Sequence, residues 1–200
     1  MITIQIEKTA FEIPGSWDEV TVEQYQQMVN HAGDMDPVRL LSILTKLDFE
    51  ALNNCEIPGF IEQVVPVLLW IREPIELVKL PRKTHITIEG KTIPVIADPG
   101  TERIGQKLKL TKDIAAAEGT PNGMAVLIPK VVANYYAPHL KEDKKWDEKD
   151  VDRLEIACRQ MKLVEAAPEA NFFLLGYIKY SPGKKSGSMS SRQESKLKQV

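Results

Sequence analysis

The sequence predicts a mainly α-helical protein with two short β-hairpins, an α+β fold in which a helical bundle-like domain carries one hairpin at its N-terminus and one in mid-chain. Two segments alternate apolar and polar residues, most other segments place apolar residues at helical spacing, and several helix-start signals separate them. A chain of 200 residues that is 43% hydrophobic and 27% charged can bury a core. We expect one domain over 1–180, with room for a subdivision near 73–100, followed by an arm over 181–200.

The first hairpin is expected at the N-terminus. Residues 2–13 alternate apolar and polar side chains, which predicts two strands with one buried face. Pro14 donates no hydrogen bond to a strand partner, and Gly15 permits a sharp change of direction. The second strand therefore ends at this dipeptide.

A well-marked helix start follows the first hairpin. Thr21 and Gln24 have the spacing of a capping box, in which each side chain bonds the other residue's backbone N–H. Val20 and Tyr25 flank the cap and can pack together as a hydrophobic staple. These devices predict a rigid connection that holds Trp17 between the hairpin and a first helix.

Further helices are predicted in the first half of the chain. The first helix should run over 22–32, and Asp36-Pro37 provides an N-cap and a first helical residue for the second. A short helix is expected over 48–54, and the strongly apolar segment 57–71 predicts another. Pro66 lies inside this last segment and predicts a kink or a break.

The second half begins with a hairpin and continues as helices. Residues 85–96 alternate around Glu89-Gly90, a favourable hairpin turn. Ile104 and Leu108 suggest a short helix, and Thr111 suggests the N-cap of a separate helix just after it.

Three more helix predictions complete the domain. The segment 121–138 predicts a helix interrupted at Pro129, and Asp147 is a good N-cap for a helix over 148–162. Pro168 is expected to open the last helix.

The residues give no indication of catalysis, a cofactor or a metal. The histidines lack a second ligand at metal-binding spacing, Cys55 and Cys158 are far apart and read as buried thiols, and the glycine-containing segments lack the spacing of a phosphate-binding loop. The acidic residues of 142–152 alternate with basic ones, which favours a solvated loop over a cation site. We therefore expect no catalytic, cofactor-binding or metal-ligating residues; an enzyme with an unfamiliar site is the minor alternative.

The charge and hydropathy patterns bear on partners and location. A formal net charge of −2 lacks the basic excess of a general nucleic-acid binder, so nucleic acid is not an expected partner. The longest apolar stretches are too short for a membrane span, and the N-terminus lacks the features of a signal peptide. We expect a protein made and used in a cytoplasm, without a membrane partner.

Two tryptophans and the arm are the candidate partner-binding features. Each tryptophan lies beside a helix start in polar sequence, where it can be either a half-buried anchor or an exposed contact. The arm has five basic residues and one acidic residue, which suits an acidic protein surface or simple solubilisation. The candidate residues are Trp17, Trp146, Lys184, Lys185, Arg192, Lys196 and Lys198.

The segment 13–25 carries a family resemblance. Its pattern of Ile-Pro, Ser-Trp, Glu-Val-Thr and Gln-Tyr resembles small, uncharacterised proteins from the structural gene blocks of tailed phages of Bacteroides-type hosts, the crAss-like group included. The resemblance continues in layout to residue 180 but does not cover the arm. The further segments that carry it are the hairpin 85–96, Gly105-Gln106, the helix 124–138 and the aromatic segment 171–174.

The resemblance implies a role in virion morphogenesis and supplies no catalytic residues. It implies contacts with other phage structural or tail proteins, in the host cytoplasm during assembly and then in the virion, and self-association is compatible with it. A structural or adaptor component of the tail, connector or capsid is the favoured reading. Because some such proteins are treated as tail-assembly-chaperone-like, an assembly factor absent from the finished particle is the alternative.

Overall fold

A computed structural model describes residues 1–6, 9–55, 60–98, 103–118, 120 and 122–180, and it confirms the predicted mainly helical α+β fold. The strands form two separate antiparallel pairs. They are β1 (Ile2–Ile6), β2 (Thr9–Ile13), β3 (His85–Ile88) and β4 (Lys91–Pro94). The α-helices are α1 (Val22–Asn30), α2 (Pro37–Thr45), α3 (Phe49–Asn53), α4 (Phe60–Val67), α5 (Ile104–Ala117), α6 (Gly123–Tyr136), α7 (Glu148–Arg159) and α8 (Leu163–Tyr180).

Both predicted hairpins are confirmed. β1 pairs with β2 so that Ile4 lies opposite Phe11, and the isoleucines at 4, 6 and 13 are buried. β3 pairs with β4 through a turn at Glu89 and Gly90, whose φ angles of 50° and 73° both lie in the left-handed region. This turn geometry matches the right-handed twist of the flanking strands.

α6 is the central helix of the described part of the chain. It packs against α1, α5, α7 and α8. Its side chains are buried around most of its circumference, as expected for a helix with neighbours on several sides. The buried residues of α6 are Ala125, Leu127, Ile128, Pro129, Val131, Val132, Ala133, Asn134, Tyr135 and Tyr136.

The predicted interruption at Pro129 is wrong, because α6 runs through this residue without a break. A proline inside a helix has no N–H to donate to the carbonyl four residues earlier. That carbonyl belongs to Ala125, and it accepts a hydrogen bond of 2.9 Å from the side-chain amide of Gln26 on α1 instead. A side chain 99 positions away therefore satisfies the acceptor that Pro129 leaves open.

Replacing Gln26 with alanine is expected to lower the free energy of unfolding by about 1–3 kcal/mol, because the buried Ala125 carbonyl would lose its donor. Urea unfolding of the two proteins measures the loss. Gln27 is exposed on the same helix, so Gln27→Ala is the matched control and should change stability by less than about 0.5 kcal/mol. Equal effects of the two substitutions would contradict this role of Gln26.

The predicted boundary at Thr111 is also wrong. Residues 104–117 form one continuous helix, and Thr111 lies in its interior. Its hydroxyl bonds the carbonyl of Lys107 at 2.8 Å, one turn earlier, and the hydroxyl of Tyr177 on α8 at 2.8 Å. Because both bonds are available within the helical conformation, the threonine does not need to cap a helix.

The last helix begins five residues before the predicted start at Pro168. Val22 N–H donates to the carbonyl of Met161 at 2.9 Å, and Leu163 N–H donates to the carbonyl of Val20 at 2.8 Å. This short antiparallel bridge fixes the chain just before α8 and sets the start of the helix at Leu163. Pro168 is accommodated inside the helix.

Other local predictions are confirmed with small changes in length. The capping box at Thr21 is complete, and Asp36 and Asp147 cap the helices expected of them. The expected short helix is α3, which Asp48 caps. The segment with Pro66 forms α4 and then changes to a 3-10 helix over Leu69–Arg72, as a proline in the helix favours. Within the described residues, no helix is both long enough and apolar enough to span a bilayer.

Candidate protein-interaction site

Trp17 lies half-buried in an aromatic cluster. It opens a short 3-10 helix over Trp17–Glu19, between β2 and α1. Its ring meets Tyr25 edge-on with centroids 6.2 Å apart, and it meets Trp70 edge-on at 5.2 Å. The indole N–H donates to the backbone carbonyl of Glu73 at 2.7 Å. Trp17 thus links the segment between β2 and α1 to the segment that follows α4.

The backbone before Trp17 is fixed by local contacts. The N–H of Gly15 donates to Glu19 Oε2 at 2.8 Å, and the N-terminal ammonium of Met1 bonds Glu19 Oε1. These contacts hold the pKa of Glu19 below its ordinary value, the Gly15 hydrogen bond being the larger cause. A Cβ at position 15 would lie 2.9 Å from the side chain of Ile2, so a larger residue there would displace the end of that side chain. The predicted rigid connection is therefore present.

Trp146 is also half-buried, and it contacts α5 and α6. Its indole N–H donates to Asn134 Oδ1 at 3.0 Å. The ring covers Gly105 so closely that a Cβ there would lie 2.5 Å from Cζ3. Gln106 and Asn134 add two further bonds, each side-chain amide donating to the other residue's backbone carbonyl, at 3.0 and 2.9 Å. Of the Gly105-Gln106 pair of the resemblance, Gly105 therefore lies under the Trp146 ring, and Gln106 holds Asn134, which accepts from the indole.

The two candidate tryptophans do not come together in one site. Trp17 belongs to the cluster with Trp70, whereas Trp146 belongs to the contact between α5 and α6. The candidate residues of the arm, which are Lys184, Lys185, Arg192, Lys196 and Lys198, lie outside the described residues. Partner binding by any of these residues stays a prediction.

Sequence reasoning did not single out an exposed apolar stripe on α5. Ile104 and Leu108 are 79% and 66% exposed, and they lie one helical turn apart on the same face. The opposite face of α5 carries Leu110 and Ala117, which are buried. The two residues were expected in one short helix, but their spacing does not show whether the face they share is exposed or buried.

A buried charged network connects α6, α8 and the segment before the second hairpin. Glu169 is 1% exposed, and its carboxylate accepts from Arg82 Nε at 2.8 Å, from Arg82 Nη2 at 2.7 Å and from the Tyr136 hydroxyl at 2.6 Å. Arg82 Nη2 also donates to the carbonyl of Ile96, and the guanidinium lies over the ring of Phe172. The acceptors and donors satisfy one another, so the network fixes the hairpin segment on the helices.

The buried network also affects the pKa of Tyr136. Burial, followed by the hydrogen bond to Glu169, raises the pKa of Tyr136 well above its ordinary value. Burial lowers the pKa of Arg82, but the contacts with Glu169 outweigh it, so the net shift is upward. Tyr136 therefore keeps its proton as the donor to Glu169, and Arg82 stays charged.

Three further features considered from the sequence are the buried cysteine, the acidic segment and the possible metal ligands. Burial raises the pKa of Cys158, which is a buried thiol as expected. The acidic end of the expected loop is helical, because Asp150 and Asp152 lie in α7. Asp150 pairs with Lys141, which immediately precedes the acidic segment, at 2.6 Å, whereas Asp152 pairs with Lys109 of α5 at 2.9 Å. Among the residues that the structure describes, no group of three or more His, Cys, Asp or Glu side chains is placed to hold a metal ion.

Comparison with protein-family models, with curated protein sequences and with solved structures finds no significant match to this chain.

Proposed function

We propose that this chain is a non-enzymatic bacteriophage protein of virion morphogenesis, acting through protein–protein contacts as a structural or adaptor component of the tail, connector or capsid. The phage context rests on the resemblance of segment 13–25. Action through protein contacts rests on the exposed apolar stripe of α5, which is the observation that carries the proposal. Large apolar side chains grouped on a surface are typical of protein-interaction sites.

The stripe is a short apolar face on a helix that its neighbours hold in place. Ile104 and Leu108 stand one turn apart, and Thr111 continues the same face toward the C-terminal end of α5. The Thr111 hydroxyl bonds Tyr177 of α8, so the helix that carries the stripe is fixed to its neighbour. The buried amide pair between α5 and α6 fixes the other side. A partner would therefore meet a preformed surface, which reduces the entropic cost of binding.

An assembly factor is the second candidate. An exposed apolar face can cover apolar helices of a tail protein before it polymerises, and α8 adds exposed Leu175 and Ile178 to the apolar surface of the chain. Mass spectrometry of purified phage particles separates the two roles. A virion component occurs at stoichiometric levels in particles, whereas an assembly factor is abundant in infected cells, absent from particles, and copurifies with a long helical tail protein.

The double substitution Ile104→Lys and Leu108→Lys is expected to reduce incorporation into particles, or copurification with the tail protein, by at least about ten-fold, because an apolar contact worth on the order of 1.4 kcal/mol or more would be lost. Ile156 on α7 is 68% exposed, so Ile156→Lys is the matched control and should leave incorporation unchanged. Circular dichroism checks that both variants fold. Full incorporation of the α5 variant would contradict a role for this stripe.

A further inference from the structure

A second surface with a distinct chemistry surrounds the tryptophan pair. We define the Trp17 surface by Trp17, Asp18, Leu69, Trp70 and Glu73. The two indole rings are half-buried and in contact, Leu69 precedes Trp70 in the chain and is 45% exposed, and both carboxylates are exposed. The surface thus offers apolar area next to negative charge.

Acidic and basic residues are unevenly distributed along the chain, and the Trp17 surface lies in its acidic part. Residues 1–76 contain 13 acidic and 4 basic side chains, whereas the arm contains 5 basic and 1 acidic. Of the four basic residues, Arg39 pairs with Asp34 and Lys46 pairs with Glu23. Positive groups also lie close by: Arg72 precedes Glu73 in the chain, and the N-terminal ammonium and Lys162 both attract the carboxylate of Glu19.

The composition of the arm complements that surface. Its basic residues are accompanied by Leu197 and Val200 near its end, so it combines positive charge with apolar side chains. Opposite charges in a partly apolar setting attract and select partners, and the apolar contacts add affinity. The arm therefore matches the Trp17 surface both in the sign of its charge and in having apolar side chains beside that charge.

The arm is long enough to reach the Trp17 surface on the same chain. Hydrogen bonds between residues 20–22 and 161–163 place the Trp17 segment at the start of α8, whereas the arm begins after the end of that helix at Tyr180. The 18 residues of α8 span about 27 Å. Twenty residues reach up to about 66 Å when extended, so the arm can cover the distance with its last residues at the surface.

We propose that the C-terminal arm docks on the Trp17 surface of its own chain, with Lys196 and Lys198 against Asp18 and Glu73 and with Leu197 against Leu69. The acidic protein surface that the arm's charge favours is then supplied in cis. The inference is independent of the proposed virion role, because it concerns the isolated protein.

Zero-length carbodiimide cross-linking of the full-length protein tests the docking. This reagent joins a lysine amine to a carboxylate only when the two are in contact, and mass spectrometry identifies the joined residues. Lys196 and Lys198, near the end of the arm, should link to Asp18 and Glu73 at least about five-fold more than to the exposed comparison residues Glu118 and Glu142 at low salt. The preference should disappear as salt rises from about 0.02 M to about 0.5 M.

Two substitutions separate the apolar contact from charge alone. Leu69→Ser removes an exposed apolar side chain and no charge, so it should reduce the cross-links to Glu73 at least about three-fold. Ile156→Ser, on the exposed face of α7, is the matched control and should leave them unchanged. Equal yields in Leu69→Ser and in the unmodified protein would overturn the contact between Leu197 and Leu69.

A mixture of isotopically light and heavy protein identifies the chain that supplies the arm. Docking in cis gives cross-links within light chains and within heavy chains, with yields that do not depend on protein concentration. Cross-links between light and heavy chains would mean that a second copy occupies the surface, and they would overturn the proposal. Cross-links spread evenly over all exposed carboxylates would overturn it as well.

Discussion

Replacing Glu169 with alanine is expected to lower the free energy of unfolding by about 3–5 kcal/mol, the range found when one partner of a buried ion pair is removed. The carboxylate is buried in α8 and accepts from both Arg82 and Tyr136. Its loss would leave the phenol hydroxyl without its acceptor and would leave the guanidinium with the carbonyl of Ile96 alone. Part of Arg82 is exposed and can regain water, so we expect the lower end of that range.

A pair of comparison variants tests whether burial is the cause. Glu165 lies one turn earlier on α8 and pairs with Lys83 at the surface, so Glu165→Ala should cost less than about 1 kcal/mol. Tyr136→Phe removes one donor of the network and the acceptor for Ile96 N–H, and should cost about 1–3 kcal/mol. Urea unfolding gives all three values. A loss for Glu169→Ala no larger than that for Glu165→Ala would contradict the network's role.

The predictions from sequence succeeded where the determining contacts are local. The capping box at Thr21 joins residues three apart, and the turn at Glu89-Gly90 depends on two neighbouring backbone conformations. Such signals lie within a few positions of one another and do not depend on the rest of the fold. The hairpins and most helix starts could therefore be assigned before any tertiary structure was known.

The incorrect predictions concern residues whose outcome depends on distant contacts. Pro129 does not end α6 because Gln26, on another helix, satisfies the freed carbonyl. Pro168 does not begin α8 because the bridge between residues 20–22 and 161–163 already fixes the chain at Leu163. A local rule gives the cost of a proline, but only the assembled fold shows whether another group offsets it.

The candidate site was accessible from the sequence only in part. The sequence marked Trp17 and Trp146 as placed residues but could not say what they touch, since Glu73 and Asn134 are distant or belong to other elements. The stripe of Ile104 and Leu108 was missed because its exposure is a property of the packed helix. A burial pattern is not readable from two apolar residues one turn apart, which fit an inner face equally well.

Because Gly105 lies against Trp146, we expect Gly105→Ala to destabilise the unmodified protein but to stabilise a protein that lacks the Trp146 side chain. In the unmodified protein, Gly105→Ala should lower the free energy of unfolding by about 1–3 kcal/mol, because its Cβ would overlap the indole ring. The ring cannot retreat without lengthening its hydrogen bond to Asn134. Trp146→Ala alone should cost about 2–4 kcal/mol, since it removes a half-buried aromatic side chain and leaves Asn134 Oδ1 without this donor.

When both substitutions are present, the methyl group at position 105 no longer meets an obstacle. Alanine is a better helix former than glycine, so in the Trp146→Ala background Gly105→Ala should raise stability by about 0.5–1 kcal/mol. Gly33 has open space around it, and Gly33→Ala should have the same effect in both backgrounds. Urea unfolding of the four proteins of the cycle gives the coupling energy. Additive effects of Gly105→Ala and Trp146→Ala would mean that the indole does not rest on this glycine, which would free Trp146 for a partner.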